Sequence, residues 1–268
     1  MDRSLPTPPL LRYDLFDDAG LAHAITARQG GYSQGHCTSL NLGHTVGDDP
    51  EAVERNHALV YSALGFSADQ VITAHQVAGQ HVAVVDGRQA GSVLPRTDGL
   101  ICATPGLLLM LRYADCVPIM LWDPSHRAIG VVHAGWRGTV QGIAAHAAQS
   151  MVATFGCLPD DLRAVIGPAI CPCCFEVGPE VPQALEEAFG SAAQAWVTPG
   201  QGDRAHVDLW QANAWQLRKS GVGHVHIDTT CTRCHRDRFF SHRGDGGRTG
   251  RFAALIGMRP TAPEEIAR

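Results

Sequence analysis

Short apolar runs alternate with longer amphipathic stretches along the chain. Two apolar runs, 117–122 and 128–132, flank turn-forming residues and predict a β-hairpin. Further strands are predicted at 21–27, 71–77, 82–85, 107–112, 163–166, 222–228 and 252–258, and helices at 50–64, 139–155, 179–189 and 208–220. This irregular order favours mixed β-sheets packed with flanking helices over a doubly wound parallel fold. We predict a single α+β domain over residues 1–268, with an ordered core at about 15–258.

The predicted hairpin brings together two side chains that can bind metal. If the turn is centred between Pro124 and Ser125, Cys116 and His133 lie opposite each other on one face of the ladder. Directly opposed Cβ atoms are about 5 Å apart, so one metal ion could bind both the thiolate and the imidazole. A register shift of one residue would move them to opposite faces. The predicted pair therefore depends on the length of the turn.

Two segments next to predicted strands combine glycines with an arginine, at residues 135–138 and 28–33. Gly135 and Gly138 permit close backbone approach, and Arg137 lies at the predicted start of a helix. Guanidinium and amide donors could converge there on an anion. Near the N-terminus, the turn at 28–33 either presents Arg28 to a pocket or is a plain glycine-containing hairpin turn.

The overall composition excludes several classes of protein. Apolar residues make up 45% and charged residues 18% of the chain, as in ordinary globular proteins. The net charge of −5, without a long basic run, argues against nucleic acid as a partner. No apolar run reaches the ~20 residues of a membrane span, and the N-terminus lacks signal-peptide features. We expect a cytoplasmic protein whose nine cysteines are reduced thiols or ligands.

Five cysteines in the C-terminal half of the chain lie in two short segments, 171–174 and 231–234, and their roles stay open. Cys231-x-x-Cys234-His235 matches the pattern for haem attachment, but that reaction requires export. A redox dithiol at the same two cysteines has no βαβ context. The other group comprises Cys171, Cys173 and Cys174. A structural zinc site built from both groups is not favoured, because the group at residues 171–174 is not expected to supply the usual C-x₂-C pair.

Five motifs resemble those of the laccase-domain family over about residues 15–258. Members of that family carry the names polyphenol oxidase, peptidoglycan editing factor and purine nucleoside phosphorylase. The motifs are Arg28-x-Gly-Gly-x-Ser, Ser-Leu-Asn41-Leu-Gly, Ala-Asp-Cys116-Val-Pro, His133-Ala-Gly-Trp-Arg-Gly-Thr and Gly167-Pro-x-Ile-x-x-Cys-Cys174-Phe-Glu-Val. The motifs around Cys116 and His133 are the specific ones.

The resemblance implies a cytosolic, zinc-dependent enzyme that acts on purine nucleosides. The implied activities are phosphorolysis of adenosine, inosine, guanosine and methylthioadenosine, and deamination of adenosine. The expected partners are a purine nucleoside and phosphate, for a monomer or a homodimer. One cysteine and two histidines bind the metal in the family, and Cys116 and His133 match two of these ligands.

The third metal ligand of the family is missing here. It belongs to a Gln-Val-His-Gly motif, and this chain has Gln76-Val77-Ala78-Gly79 instead. His75 and His81 are each three positions away, which in a straight strand points to the opposite face. A bulge could redirect one of them, and His75 is preferred. Otherwise the site binds zinc weakly or has been altered.

The expected roles combine the residues and the resemblance. Cys116, His133 and Arg28 are expected to be catalytic, Asn41, Gln76 and Arg137 to bind substrate, and Cys116, His133 and His75 to bind zinc. One rival is a cysteine-type hydrolase that edits a peptidoglycan precursor, with Cys116 as nucleophile and His133 as base. Another is a catalytically impaired purine-binding relative, because of Ala78. Copper-dependent phenol oxidation is not favoured, since so few ligands cannot build several copper centres.

Overall fold

Successive side chains of one central strand are buried in two different layers. In the computed structural model, which describes residues 8–260, Leu108 and Met110 pack against an amphipathic helix. Leu109 and Leu111 of the same strand point the other way, into a core shared with a second sheet. Because neighbouring side chains of a strand leave opposite faces, a strand that is apolar throughout needs cover on both sides. The fold is therefore layered, with two sheets enclosed by helices.

The strands form two six-stranded mixed sheets and one small antiparallel sheet. In chain order they are β1 (Leu10–Leu11), β2 (Leu21–Thr26), β3 (Val71–Ala74), β4 (Val82–Val84), β5 (Val93–Leu94), β6 (Gly99–Cys102), β7 (Leu108–Tyr113), β8 (Val117–Asp123), β9 (Ala128–Ala134), β10 (Arg163–Ile166), β11 (Glu176–Val177), β12 (Val197–Pro199), β13 (Ala205–Val207), β14 (His224–Ile227) and β15 (Phe252–Met258). The first sheet has the order β1-β2-β15-β7-β3-β5, the second β14-β10-β8-β9-β6-β4, and the third β11-β13-β12.

Residues 8–260 form five α-helices, three of which cover the outer faces of the two large sheets. They are α1 (Pro50–Leu64), α2 (Trp136–Val140), α3 (Ile143–Phe155), α4 (Glu180–Phe189) and α5 (Leu209–Lys219). Helix α1 packs on the first sheet, whereas α3 and α5 pack on the second. Asp49 caps α1 by accepting the Glu51 N–H, and Gly65 ends it at a φ of 82°. The α+β prediction and the predicted helix 50–64 are thereby confirmed.

Local boundaries differ from the predictions where the chain turns. The helix expected at 139–155 begins earlier, at Trp136, and breaks at Gly142, whose φ is 80°. The strand expected at 71–77 ends at Ala74. Loose ends were expected for the first dozen residues and beyond Met258, but Leu10–Leu11 pairs with β2, while 1–7 and 261–268 lie outside the described residues. Among the helices of residues 8–260, none has the length and apolarity to cross a membrane.

Candidate functional site

The predicted hairpin exists, but its register differs from the prediction. Strands β8 and β9 pair with Pro118 opposite His133, which moves the centre of the turn towards the C-terminus. The same register sets Cys116 beside Gly135, so the expected direct opposition of Cys116 and His133 is wrong. A displacement of two residues along a strand preserves the face. Cys116 and His133 are therefore diagonal neighbours on one face, close enough for a thiol–imidazole hydrogen bond.

A small space above Gly135 is enclosed by three side chains. A Cβ atom on Gly135 would lie 3.3 Å from Cys116 Sγ, 3.9 Å from His133 Cε1 and 3.9 Å from Ala78 Cβ. Only glycine leaves this space open. Ala78 thus occupies the third corner of the group, and its methyl group stands where the resemblance implies a histidine.

A buried carboxylate links two sides of this group. Asp98 Oδ1 lies 2.9 Å from His133 Nδ1, and the same carboxylate accepts the N–H groups of Val77, Ala78 and Gly79 at 2.9–3.1 Å. The backbone carbonyl of Asp98 also accepts the N–H of His133 at 2.7 Å. Asp98 therefore positions both the imidazole and the loop that carries Ala78. The sequence pattern predicts no role for this aspartate.

The same contacts set the protonation of the histidine. Burial alone would lower the pKa of His133, but the charges and hydrogen bonds of Cys116 and Asp98 outweigh it and raise the pKa to about 9. Burial would raise the pKa of Asp98, yet the His133 side chain and the loop N–H groups hold it below its usual value. Since Nδ1 faces Asp98, the free nitrogen of His133 is Nε2, on the side of Cys116.

The group supplies two of the three protein ligands that a catalytic zinc site uses. A thiolate and an imidazole are suitable donors, and a carboxylate behind the imidazole is the usual outer partner of a zinc-bound histidine. The third corner is the methyl group of Ala78. In residues 8–260, no set of three donor atoms within 4.8 Å of one another includes Cys116 and His133. The exposed His75 does not complete such a set, so the donors do not fit a three-ligand zinc site.

Two adjoining cavities meet at this group. The larger has a volume of about 970 Å³ and the smaller about 300 Å³. His133, Arg112 and Arg251 line both of them. Ala78 faces the larger cavity and Cys116 the smaller. The meeting point of the two cavities is therefore cationic.

The two arginines at this meeting point have no acidic partner. Arg112 donates to the carbonyl of Ala74 at 2.7 Å, and Arg251 donates to two carbonyls just before it in the chain at 2.9 Å each. Within the described part of the chain, no carboxylate oxygen lies within 4.0 Å of either guanidinium. Burial lowers the pKa of both. Partly buried guanidinium groups without carboxylate partners are chemically suited to an external anion.

Asn41 and Gln76 hold the segments that carry these arginines. Asn41 is fully buried, and its side-chain carbonyl accepts the backbone N–H of Arg251 at 2.8 Å. The amide of Gln76 donates to the carbonyl of Arg112 at 2.8 Å and accepts its N–H at 3.0 Å. Gln76 lines the larger cavity, whereas Asn41 lines neither. The hydrogen-bonding groups expected to face substrate are thus engaged with the backbone.

Arg28 and Arg137 lie away from His133. Arg28 donates to the carbonyls of Thr38 and Arg236, and its guanidinium stacks on Phe240 at 4.5 Å from the ring centroid. Arg137 is exposed and stacks on the neighbouring tryptophan at 4.2 Å. Neither lines the two cavities. The cations beside His133 are instead Arg112 and Arg251. The available signal in the sequence was an arginine, Arg112, at the end of the otherwise apolar predicted strand 107–112.

Comparison with known proteins identifies the family of this chain. The family model described as multi-copper polyphenol oxidoreductase laccase matches residues 22–259. The chain belongs to this laccase family. The resemblance drawn from the five motifs is thereby confirmed, and the match extends over most of the chain.

Relatives of this laccase-family chain include proteins named purine nucleoside phosphorylase. Purine nucleoside phosphorylase YlmD of Geobacillus stearothermophilus is 38% identical over 251 residues. The aligned residues cover 90% of this chain and 91% of that protein. A purine nucleoside phosphorylase of Deinococcus radiodurans is 39% identical over 253 residues, 94% of each chain.

Solved structures of the family share the fold. The crystal structure of YlmD from Geobacillus stearothermophilus matches with a TM-score of 0.90 and 35% identity, covering 96% of this chain and 98% of that one. The Bacillus licheniformis hypothetical protein YfiH matches with a TM-score of 0.91 and 31% identity, with the same coverage. The mixed-sheet architecture is therefore that of the family.

Proposed function

We propose that this laccase-family protein is a purine nucleoside phosphorylase, which converts a purine nucleoside and inorganic phosphate into the free purine and ribose 1-phosphate. One observation carries the proposal. Arg112 and Arg251 lie without carboxylate partners at the junction of two cavities that His133 also lines. The relatives named purine nucleoside phosphorylase, at 34–39% identity, support the same reaction class.

The arginine pair suits inorganic phosphate. Each guanidinium can donate two parallel hydrogen bonds to phosphate oxygens, and partial burial limits screening by salt. The larger cavity, about 970 Å³, lies within the volume range of small-molecule sites and has room for a nucleoside beside the phosphate. Its wall includes His44, Tyr61 and His75, whose rings offer flat surfaces for a purine.

The chemical step needs a cation, a nucleophile and a proton. A phosphate oxygen attacks the anomeric carbon of ribose, so a carbon–oxygen bond forms as the bond to the purine nitrogen breaks. The leaving purine carries negative charge and takes a proton. His133, whose pKa is raised by Cys116 and Asp98, supplies that proton from Nε2 and regains it from the protonated phosphate or water. Arg112 and Arg251 hold the attacking phosphate in line.

Zinc dependence has less support from these residues. An ion at Cys116 and His133 would supply Lewis-acid polarisation of a substrate oxygen. Its third protein ligand is absent because Ala78 cannot coordinate a metal. We therefore assign each step to side chains of the chain. Deamination of adenosine, phosphorolysis of methylthioadenosine and the zinc requirement remain predictions from the resemblance.

The test measures phosphate-dependent turnover. Inosine, guanosine, adenosine and methylthioadenosine are each incubated with the protein, with and without phosphate, and ribose phosphate products and free bases are quantified. Arg251→Met is expected to raise the KM for phosphate about 10- to 100-fold, the usual loss for a hydrogen bond to a charged group. Arg218→Met, at an exposed arginine of α5 outside both cavities, is the matched control and keeps wild-type kinetics. Turnover that does not require phosphate would contradict the proposal.

A second candidate function, hydrolysis with a cysteine nucleophile, is based on the contacts among Cys116, His133 and Asp98. Cys116, His133 and Asp98 form a chain of thiol, imidazole and carboxylate, which is the arrangement of a cysteine nucleophile with its base and orienting acid. That chain would suit a hydrolase that edits a peptidoglycan precursor. The hydrolase would show phosphate-independent product and a covalent adduct on Cys116 by mass spectrometry. Calorimetric nucleoside binding without any product would instead indicate an impaired purine-binding relative.

A further inference from the structure

Five of the nine cysteines come together away from the cavities that contain His133. The sulfurs of four of them, Cys171, Cys173, Cys174 and Cys234, all lie within 4.8 Å of one another. The Sγ–Sγ separations are 2.7 Å for Cys171 and Cys173, 3.9 Å for Cys173 and Cys174, and 3.5 Å for Cys174 and Cys234. All nine cysteines of the chain are unpaired thiols.

The sheet topology explains how two distant segments meet. Strands β10 and β14 pair in parallel, so the segments that leave their C-terminal ends start side by side. The pairing continues beyond the strands as a bridge between Ala169 and Cys231. One turn then carries residues 171–174 and the other residues 231–234. The convergence of the cysteines is thus built on a backbone ladder.

The fifth cysteine braces the two turns. Cys231 Sγ accepts the N–H of Cys171 at 3.3 Å and the N–H of Cys234 at 3.5 Å. Backbone N–H groups directed at a sulfur stabilise negative charge on it. The expectation that the group at residues 171–174 lacks a C-x₂-C pair is also wrong, because Cys171 and Cys174 have that spacing. Cys231 and Cys234 have it as well. The four mutually close sulfurs include one such pair, Cys171 and Cys174, a spacing typical of structural zinc sites, while Cys231 lies outside that set and holds it through its N–H contacts.

We propose that Cys171, Cys173, Cys174 and Cys234 bind one tetrahedral zinc ion, at a site separate from Cys116 and His133. Four thiolates at about 2.3 Å from zinc lie roughly 3.8 Å apart. The separations of 3.5 and 3.9 Å are close to that value. Cys171 and Cys173 are closer together, and the ion would spread them. The inference is independent of the proposed nucleoside chemistry.

The ion has a structural role next to the smaller cavity. Asp115, beside Cys116 in the chain, accepts the hydroxyl of Thr232 at 2.6 Å and the backbone N–H of Arg243 at 2.6 Å. Its carbonyl accepts the N–H of Ile170 at 3.0 Å. Ile170 and Arg243 line the smaller cavity, and Thr232 lies within one of the cysteine turns. A metal that joins the two turns would therefore hold one wall of that cavity in place.

The first experiment measures metal content in a Cys116→Ala background, where the other possible site has lost a donor. Purified without added metal, this variant is expected to hold about one zinc per chain by elemental analysis. Adding Cys234→Ser or Cys174→Ser should remove it. Adding Cys102→Ser, a buried cysteine elsewhere in the fold, should leave it bound. Zinc that survives Cys234→Ser and Cys174→Ser alike would overturn the assignment.

A second measurement does not depend on whether those variants fold. The full-length Cys116→Ala protein is stripped of metal, reloaded with cobalt and examined by absorption spectroscopy. Tetrahedral thiolate ligation gives an intense sulfur-to-cobalt charge-transfer band together with visible ligand-field bands, and the band is expected here. Thiol titration should show more reactive cysteines after chelation than before it. Absence of the cobalt band, an iron–sulfur chromophore, or a disulfide within the group in freshly purified protein would each overturn the proposal.

Discussion

The group around His133 and the group around Cys174 both bring together side chains of the kinds that bind metal, but they differ in the number of donors and in their surroundings. The first has a thiol, an imidazole, a buried carboxylate behind them and two adjoining cavities. The second has four close thiols and none of them lines those cavities. Structural zinc sites have four protein ligands, whereas catalytic sites have three and an open position. The four thiols of the second group therefore match a structural site, whereas the first group has only two such donors and lies beside two cavities.

Replacing Asp98 should have the largest effect on the group around His133. Asp98→Asn removes the charge that supports protonated His133 and leaves the 77–79 loop with a poorer acceptor. We expect kcat/KM to fall about 10- to 100-fold, the usual cost of losing the outer partner of a catalytic imidazole. The pKa of His133, about 9 in the wild type, should also fall, as measured by NMR titration. Asp86→Asn, at a half-buried loop aspartate that lines neither cavity, is the control.

A fall in activity without a change in the His133 titration would show that Asp98 acts only through the loop. The sign of the pH effect follows from the raised pKa of His133. Its charged form is favoured in the folded state, so its contribution to stability is complete below pH 6.5 and is lost as the pH rises through about 9. Wild-type activity should decline over the same alkaline range, and Asp98→Asn should move that decline to lower pH.

Acid should destabilise the protein by protonating His57, a buried histidine in the wall of the larger cavity. Burial lowers the pKa of His57 from 6.5 to about 4, and the ring is held by Tyr61 and the Leu42 carbonyl. Because the folded pKa is depressed, this stability is present above pH 6.5 and is lost as the pH falls towards 4. The loss is about 2 kcal/mol between about pH 7 and about pH 5, measurable by urea unfolding.

His57→Gln should flatten that pH dependence, since the titrating group is gone. The exposed His146→Gln is the control and should retain it. An unchanged slope in His57→Gln would show that another group is responsible. The neutral, buried His23 has a similarly lowered pKa of about 4 and belongs in the same series.

Ala78→His should make the two groups more alike. Ala78 has a φ of 57°, in the left-handed region where histidine is over-represented among residues other than glycine, so the backbone suits the replacement. The new imidazole would complete a Cys-His-His set with Cys116 and His133. We expect metal content to rise from about one to about two zinc ions per chain. Ala78→Asn, with the same backbone preference but a weaker donor, is the control.

If Ala78→His binds no further metal in a folded protein, the third corner of the group is not a ligand position. If it binds metal but turnover is unchanged, zinc is not required for the reaction. Either result would sharpen the distinction between the two groups, since the site at Cys174 and Cys234 should be unaffected in both.

Local elements of the fold could be predicted from the sequence because they depend on short-range patterns. Two apolar runs around turn-forming residues predict the β8–β9 hairpin, and caps at Asp49 and Gly65 predict α1. The motifs around Cys116 and His133 identify the family. Periodicity and capping depend on neighbours along the chain, so one sequence suffices for them.

The arrangement of the sites was decided only by the tertiary structure. The turn length set Cys116 beside Gly135, and strand pairing across the chain brought Asp98 to His133. Parallel pairing of β10 with β14 brought Cys174 and Cys234 together. Which strands pair, and in which register, depends on burial summed over whole sheets, and no local pattern encodes it. The sequence by itself determined the chemical groups and the local elements, while the packing of two sheets decided which of those groups can act together.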